Sequence, residues 1–211
     1  VMVDARALGE PGNVVLEDGR HLADFHRWAV QGSRDGAALW MQLNHPGKQS
    51  PRSVNKYPVA PSVVPMEGPA ERFFATPREL TVDDIKLIVW RFGYAARIAQ
   101  STGFTGVQIH AAHGYLINQF LAPATNRRTD CYGGSARNRR RFLEEIVTGI
   151  RQAAGEGFVI SVRLSMVDLV QDGQTLEETL DAAGLTVADV DGVDVLILLQ
   201  RHGAPCDVRG G

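Results

Sequence analysis

The stretch Thr81-Val-Asp-Asp-Ile85-Lys-Leu-Ile88-Val-Trp-Arg-Phe92-Gly-Tyr-Ala-Ala96-Arg-Ile-Ala99-Gln-Ser-Thr-Gly103-Phe-Thr-Gly-Val107-Gln-Ile-His110 reads as one complete structural unit. Thr81, followed three residues on by Asp84, resembles a capping box, in which side chain and backbone at a helix start satisfy each other's donors. Ile85, Ile88, Val89, Phe92, Ala96 and Ala99 recur at helical spacing and form one apolar stripe. Gly103 stops the helix, and Val107-Gln-Ile-His110 is a short β-rich run. The same order of helix, glycine and buried strand appears on both sides. Towards the N-terminus, a helix near Leu22–Ser33 carries Leu22, Phe25, Ala29 and Val30 on one face, stops at Gly32 and Gly36, and precedes the apolar run Ala37-Ala-Leu-Trp-Met41. Towards the C-terminus, a helix over Arg137–Ala154 has Phe142, Ile146 and Ile150 in register and leads through Gly155 and Gly157 into Phe158-Val-Ile-Ser-Val162. Thr175 and Glu178 open a further helix, and Val193-Asp-Val-Leu-Ile-Leu-Leu199 follows as a strand.

Such alternation implies parallel strands joined by right-handed helical crossovers, in an α/β barrel or a doubly wound sheet. The long excursions favour the barrel, because Asn44 to Leu80 and Ala112 to Ala136 both follow strands, where barrels carry their working loops. Pro46, Pro51, Pro58, Pro61, Pro65, Pro69 and Pro77, seven of the ten prolines, lie in the loop 44–80, which reads as stiff, ordered and suited to a lid. No second domain boundary shows, so residues 1–211 read as one domain. A chain of 211 residues can bury about 70% of its extended surface.

The balance of 22 Lys+Arg against 24 Asp+Glu, with 44% hydrophobic residues, excludes a disordered polyelectrolyte and gives no electrostatic reason to expect nucleic acid. Two cysteines, Cys131 and Cys206, are too few for a disulfide scaffold and fit a reducing, cytoplasmic setting. No run of 18 apolar residues reads as a membrane span, and the opening residues carry Asp4, Arg6 and Glu10.

Where the apolar strand runs end, polar residues appear: Gln42 and His45, His110 and His113, and Arg163. Strands of one barrel deliver these to a common rim, the arrangement enzymes of this architecture use. His110-Ala-Ala-His113 has two readings. As metal ligands the pair lacks the glutamate of a zincin helix, and a three-histidine metal hydrolase using His45 as well lacks carboxylate ligands in register. As hydrogen-bond donors, two imidazoles can hold one carbonyl or phenolate oxygen, with Tyr115 two residues on to supply a proton. Tyr115 also reads as a buried aromatic with a satisfied hydroxyl.

The run from Gly103 through His110-Ala-Ala-His113-Gly-Tyr115 to Pro123, followed by Asn126-Arg-Arg-Thr-Asp130-Cys-Tyr-Gly-Gly-Ser135, closely resembles the Old Yellow Enzyme family of flavin-dependent oxidoreductases. Met41-Gln-Leu-Asn-His-Pro-Gly-Lys48 resembles that family's third strand and its exit, and Ser161-Val-Arg163-Leu-Ser its fifth. The resemblance implies a TIM (β/α)8 barrel, here incomplete and running from the tail of the second strand to the sixth. It implies FMN as cofactor, NAD(P)H as reductant and an activated alkene, an enal or enone, as substrate. Gln42 matches the residue that bonds the flavin pyrimidine edge, and Arg163 the cation beside flavin N1 and O2. His110 and His113 match the pair that grips the substrate oxygen, and Tyr115 the proton donor. Lys48 stands where relatives often have a basic residue near the substrate. Asn126, Arg127, Asp130 and the run Tyr132-Gly-Gly-Ser135 match an architectural signature.

In relatives the seventh and eighth strands hold the FMN phosphate, and the tail 200–211 does not resemble the family. The alternative is therefore a flavin-free fragment or pseudo-enzyme, at most a partner-binding module. Open strand edges in such a piece would favour a homo-oligomer.

Overall fold

In the computed structural model, which describes residues 1–165, 168, 172–188 and 195–200, the helix-to-strand units set parallel strands side by side. The chain runs through α1 (Leu22–Gly32), β1 (Trp40–Leu43), β2 (Val59–Ala60), β3 (Arg78–Glu79), α2 (Val82–Thr102) and β4 (Gly106–Ala111). It continues through α3 (Leu116–Leu121), α4 (Ala136–Ala154), β5 (Val159–Ser165), α5 (Leu176–Ala188) and β6 (Val195–Gln200). The main sheet has the order β1-β4-β5-β6, every neighbouring pair parallel. The first residues border β1, with Val3 N donating to Asn44 O at 3.1 Å and Asn44 N to Val1 O at 2.9 Å.

The period of two along each strand divides the sheet by chemistry. Met41, Leu43, Val107, Ile109, Ala111, Ile160, Val162 and Leu164 share one face and are at most 1% exposed. They join Phe92 and Ala96 of α2 and Phe142, Ile146 and Ile150 of α4 in one apolar core. Each fully buried large side chain contributes roughly 1.5–3 kcal/mol, so this face is the main source of cohesion. The opposite face carries Gln42, Gln108, His110, Ser161, Arg163 and Ser165. Helices α2 and α4 approach closely where both have glycine, since a Cβ on Gly93 would stand 3.0 Å from Gly149 O.

The capping box at Thr81 is formed: Asp84 N donates to Thr81 Oγ1 at 3.1 Å and Thr81 N to Asp84 Oδ2 at 2.9 Å. Gly103 closes α2 at φ 102°, a left-handed conformation that favours glycine.

Two expectations need correction. The first strand lies at Trp40–Leu43 and not over 37–41, because Ala37 N turns back to Arg34 O at 3.2 Å and pairing begins only where Trp40 meets Gly106. On α1, Phe25 and Ala29 face the core while Leu22 and Val30 are 40% and 49% exposed. The last strand is described over Val195–Gln200; positions 193–194 and 201–211, which include Cys206 and nearly all of the atypical tail, lie outside the described residues.

The proline-rich excursion is anchored. Its β2 and β3 pair in parallel, and Arg128 Nη1 donates to Pro61 O at 3.0 Å and Leu80 O at 2.6 Å. The second excursion contains a helix that periodicity did not suggest, α3, every residue of which is buried.

Candidate active site

Strand register brings the polar residues together. Gln42 stands opposite Gln108, Gln108 opposite Ser161, and His110 opposite Arg163. Gln42 Nε2 donates to Gln108 Oε1 at 2.6 Å, and Gln108 Nε2 to Ser161 Oγ at 3.3 Å, so amide and hydroxyl groups form a line across three strands.

Beyond that line lies an imidazole pair. His110 is 4% exposed, and its Nδ1 accepts the Ala112 N–H at 3.3 Å. Burial, with the neighbouring His113 and Arg163 adding repulsion, pushes its pKa down to about 3. The ring is therefore neutral at physiological pH, and with Nδ1 accepting, its proton resides on Nε2. That nitrogen lies 3.3 Å from His113 Nδ1. The two rings meet edge-on at 5.0 Å, and Tyr115 packs edge-on to His110 at 4.8 Å. His113, His110 and Tyr115 thus form one cluster at the exit of β4.

The structure separates His45 from this cluster. Its ring is 3% exposed and its Nδ1 accepts the Gly47 N–H at 3.1 Å. Burial is the main cause holding its pKa down at about 4, countered by the nearby Asp4 carboxylate. The rim expected from the sequence therefore includes Gln42, His110, His113 and Arg163 but not His45. Among the described residues no group of three His, Cys, Asp or Glu side chains gathers as metal ligands. Lys48 is also otherwise engaged: its ammonium donates to Val64 O and Pro65 O, each at 3.2 Å, and burial lowers its pKa. A cleft of about 630 Å³ opens elsewhere, beneath the proline-rich excursion, lined by Arg6, His45, Arg52, Tyr57, Arg78 and Ile88 among others. None of Gln42, His110, His113, Tyr115 and Arg163 lines it, so the chemistry-bearing cluster and the cleft are distinct.

Sequence reasoning missed the residues that hold this cluster. His113 has φ 61° and Gly114 φ 72°, two successive left-handed residues. Gln49 Nε2 donates to His113 O at 3.0 Å and His113 N to Ser165 Oγ at 3.2 Å. Gln108 was within reach of strand periodicity, since it lies two residues from His110. Gln49, Asn118, Gln119 and Ser165 lie in loops, a short helix and a strand end, with no pattern to single them out. Within the Asn126–Ser135 signature, Asn126 Nδ2 donates to Phe120 O and Tyr132 O, each at 2.7 Å, and a Cβ on Gly133 would meet Arg128 O at 2.2 Å.

A model of the NADH:flavin oxidoreductase / NADH oxidase family matches residues 1–204. The NADH oxidase of Thermoanaerobacter brockii is 42% identical over 184 residues, covering 83% of this chain and 28% of that protein. A solved 2-naphthoyl-CoA reductase in complex with 2-naphthoyl-CoA superposes with a TM-score of 0.86 at 32% identity, covering 96% of this chain and 33% of the other. The old yellow enzyme homologue from Zymomonas mobilis gives a TM-score of 0.82 at 29% identity, covering 94% and 58%. The chain thus spans between 28% and 58% of the lengths of these proteins.

Proposed function

The chain belongs to the NADH:flavin oxidoreductase / NADH oxidase family, and on that premise we propose that it forms the substrate-facing part of an FMN-dependent reductase of activated alkenes. The observation that carries this reading is the gathering of His110, His113 and Tyr115 beside a line of amides and a guanidinium on one sheet face. The donor set suits a flavin ring. Gln42 and Gln108 offer amide groups to an imide edge, and Arg163 offers positive charge where a reduced, anionic ring needs it. FMN, when bound, takes reducing equivalents from NAD(P)H and supplies hydride to the β-carbon of an enal or enone.

The chain's own residues supply the rest. A carbonyl oxygen entering between the imidazoles takes the His110 Nε2–H from His113 Nδ1, and His113 turns its other nitrogen's proton to the same oxygen. Two ring N–H donors then stabilise the charge that develops there. The His110 pKa of about 3 suits a fixed hydrogen-bond donor better than a proton donor. The proton for the α-carbon comes from the Tyr115 hydroxyl.

Replacing Tyr115 by Phe tests the assignment in the barrel-complete protein. Stopped-flow measurement should show alkene reduction slowed by about 10²–10⁴-fold, with flavin reduction by NAD(P)H nearly intact, because only the former consumes the proton. Equal slowing of both half-reactions would make Tyr115 structural and overturn the reading.

A further inference from the structure

Asn118 and Gln119, neighbours on α3, are 2% and 1% exposed. Burying two amides is unfavourable unless their polar atoms are bonded, and here the bonds reach three separate strand exits. Gln119 Nε2 donates to Gly114 O at 2.6 Å and to Pro46 O at 3.1 Å, while its Oε1 accepts the Lys48 N–H at 3.2 Å. One amide therefore joins the exit of β1 to the exit of β4. Asn118 Oδ1 accepts the Gly114 N–H at 2.6 Å, and its Nδ2 lies 3.4 Å from both Asp168 oxygens and from Gln174 Oε1, beyond the end of β5. The fit is tight as well as bonded, since a Cβ on Gly47 would stand 2.3 Å from Gln119 Oε1.

What these amides grip is the turn His113-Gly114-Tyr115. Gly114 is held by both its N–H and its carbonyl, one from each amide. A histidine stays in the left-handed region only where its surroundings hold it there. We propose that Gln119 and Asn118 are positioning residues that fix this turn, and through it the aim of the Tyr115 hydroxyl and the His113 imidazole. The proposal rests on the roles assigned above to those two side chains.

The charge chemistry of the contacts supplies a diagnostic substitution. In Gln119→Glu one carboxylate oxygen still accepts the Lys48 N–H, but the other faces two carbonyl oxygens and repels both. Protonation restores a donor, so the damage should reverse on acidification. Around this position, the Lys48 ammonium is occupied by Val64 O and Pro65 O. His113 lies on the gripped turn itself, and Asp168 faces the Asn118 side. Asn118→Asp sets a second carboxylate against Asp168 and should behave likewise.

In the barrel-complete holoenzyme at pH 8, Gln119→Glu should slow alkene reduction roughly 10- to 100-fold while flavin content and flavin reduction by NAD(P)H stay within about two-fold. Lowering the pH should recover the rate in Gln119→Glu and not in Gln119→Leu. Combined with Tyr115→Phe, the Gln119→Glu loss should not add in full. Independently of flavin and turnover, the protection of the Gly114 amide in the 211-residue chain, taken relative to the intrinsic exchange rate at each pH, should fall below that of the unsubstituted chain at pH 8 in Gln119→Glu and recover on acidification. Unchanged exchange and an unchanged alkene rate would overturn the proposal, as would fully additive losses or equal slowing of both half-reactions. Should Gln119→Glu fail to fold, Asn118→Asp carries the same expectations. If Tyr115→Phe alone leaves alkene reduction unaffected, the proton-donor assignment fails, and the exchange result alone decides whether Gln119 holds the turn.

Discussion

Two buried histidines make stability depend on pH in a window of their own. His45 and His110 are held at about 4 and about 3, chiefly by burial, whereas in the unfolded chain each titrates near 6.5. A folded pKa below the unfolded one means the unfolded chain takes up protons that the native chain refuses. The stability each contributes is therefore complete above pH about 6.5 and drains as the pH falls from there through the folded value. Near pH 5 the difference approaches two protons, a slope of about 2.7 kcal/mol per pH unit. Asp4 and Asp84, both lowered to about 2, lose their contributions as the pH falls from the ordinary carboxylate range through about 2, so between pH 7.5 and 5 they contribute little to the slope. Urea unfolding followed from pH 7.5 to 5 should show stability falling with increasing steepness towards this slope near pH 5, flattened in His45→Gln and again in His110→Gln; an undiminished slope in both variants would refute the assignment. At this scale the sequence was legible where a polar residue interrupted a strand, as at Gln42, His110 and Arg163. It misplaced His45, because three residues beyond a strand position the chain has already turned away from the sheet face.

Helix ends were more legible than strand starts, because a cap is written in side chains three residues apart whereas pairing depends on a distant partner. Thr81 and Asp84 form their box, and Asp84 also holds Arg78 Nη1 at 2.6 Å, fastening β3 to the head of α2. Thr81→Ala removes the hydroxyl acceptor for Asp84 N but leaves that ion pair in place. It should therefore cost about 1 kcal/mol, seen as a lower urea midpoint with unchanged slope; a loss several times larger would mean that α2 and the excursion unfold together. Strand β1 slipped from its expected position because Ala37 and Ala38, apolar in sequence, precede the first ladder partner at Gly106. Helix α3 escaped detection for a different reason. Its six residues are buried all round, so no stripe distinguishes a face, and its polar pair looked like an interruption when it is the contact between loops.

Across the whole molecule the division of the sheet into an apolar and a polar face decides what these 211 residues can bind. The polar face presents Gln42 and Arg163, which the function proposed above assigns to a flavin ring. A phosphate needs backbone N–H groups at a helix start together with uncommitted cations, and the resemblance assigns that task to strands seven and eight. The buried arginines described here are committed elsewhere: Arg128 to Asp130, Arg139 to Glu178, and Arg140 to Glu144 and Asp181. Each charge-assisted hydrogen bond missing from a phosphate site forgoes about 1.5–3 kcal/mol. Three of them amount to a weakening of at least about a thousandfold. The 211-residue chain should therefore bind FMN far more weakly than the barrel-complete protein and should not discriminate FMN from riboflavin, because only the shared ring finds partners. Fluorescence titration of both flavins against both proteins measures this. Submicromolar binding by the short chain with a clear preference for FMN would place a phosphate site within these residues. Absence of flavin binding even by the complete barrel would instead favour a flavin-free partner module, with the line from Gln42 through Gln108 to Ser161 serving only to join the strands.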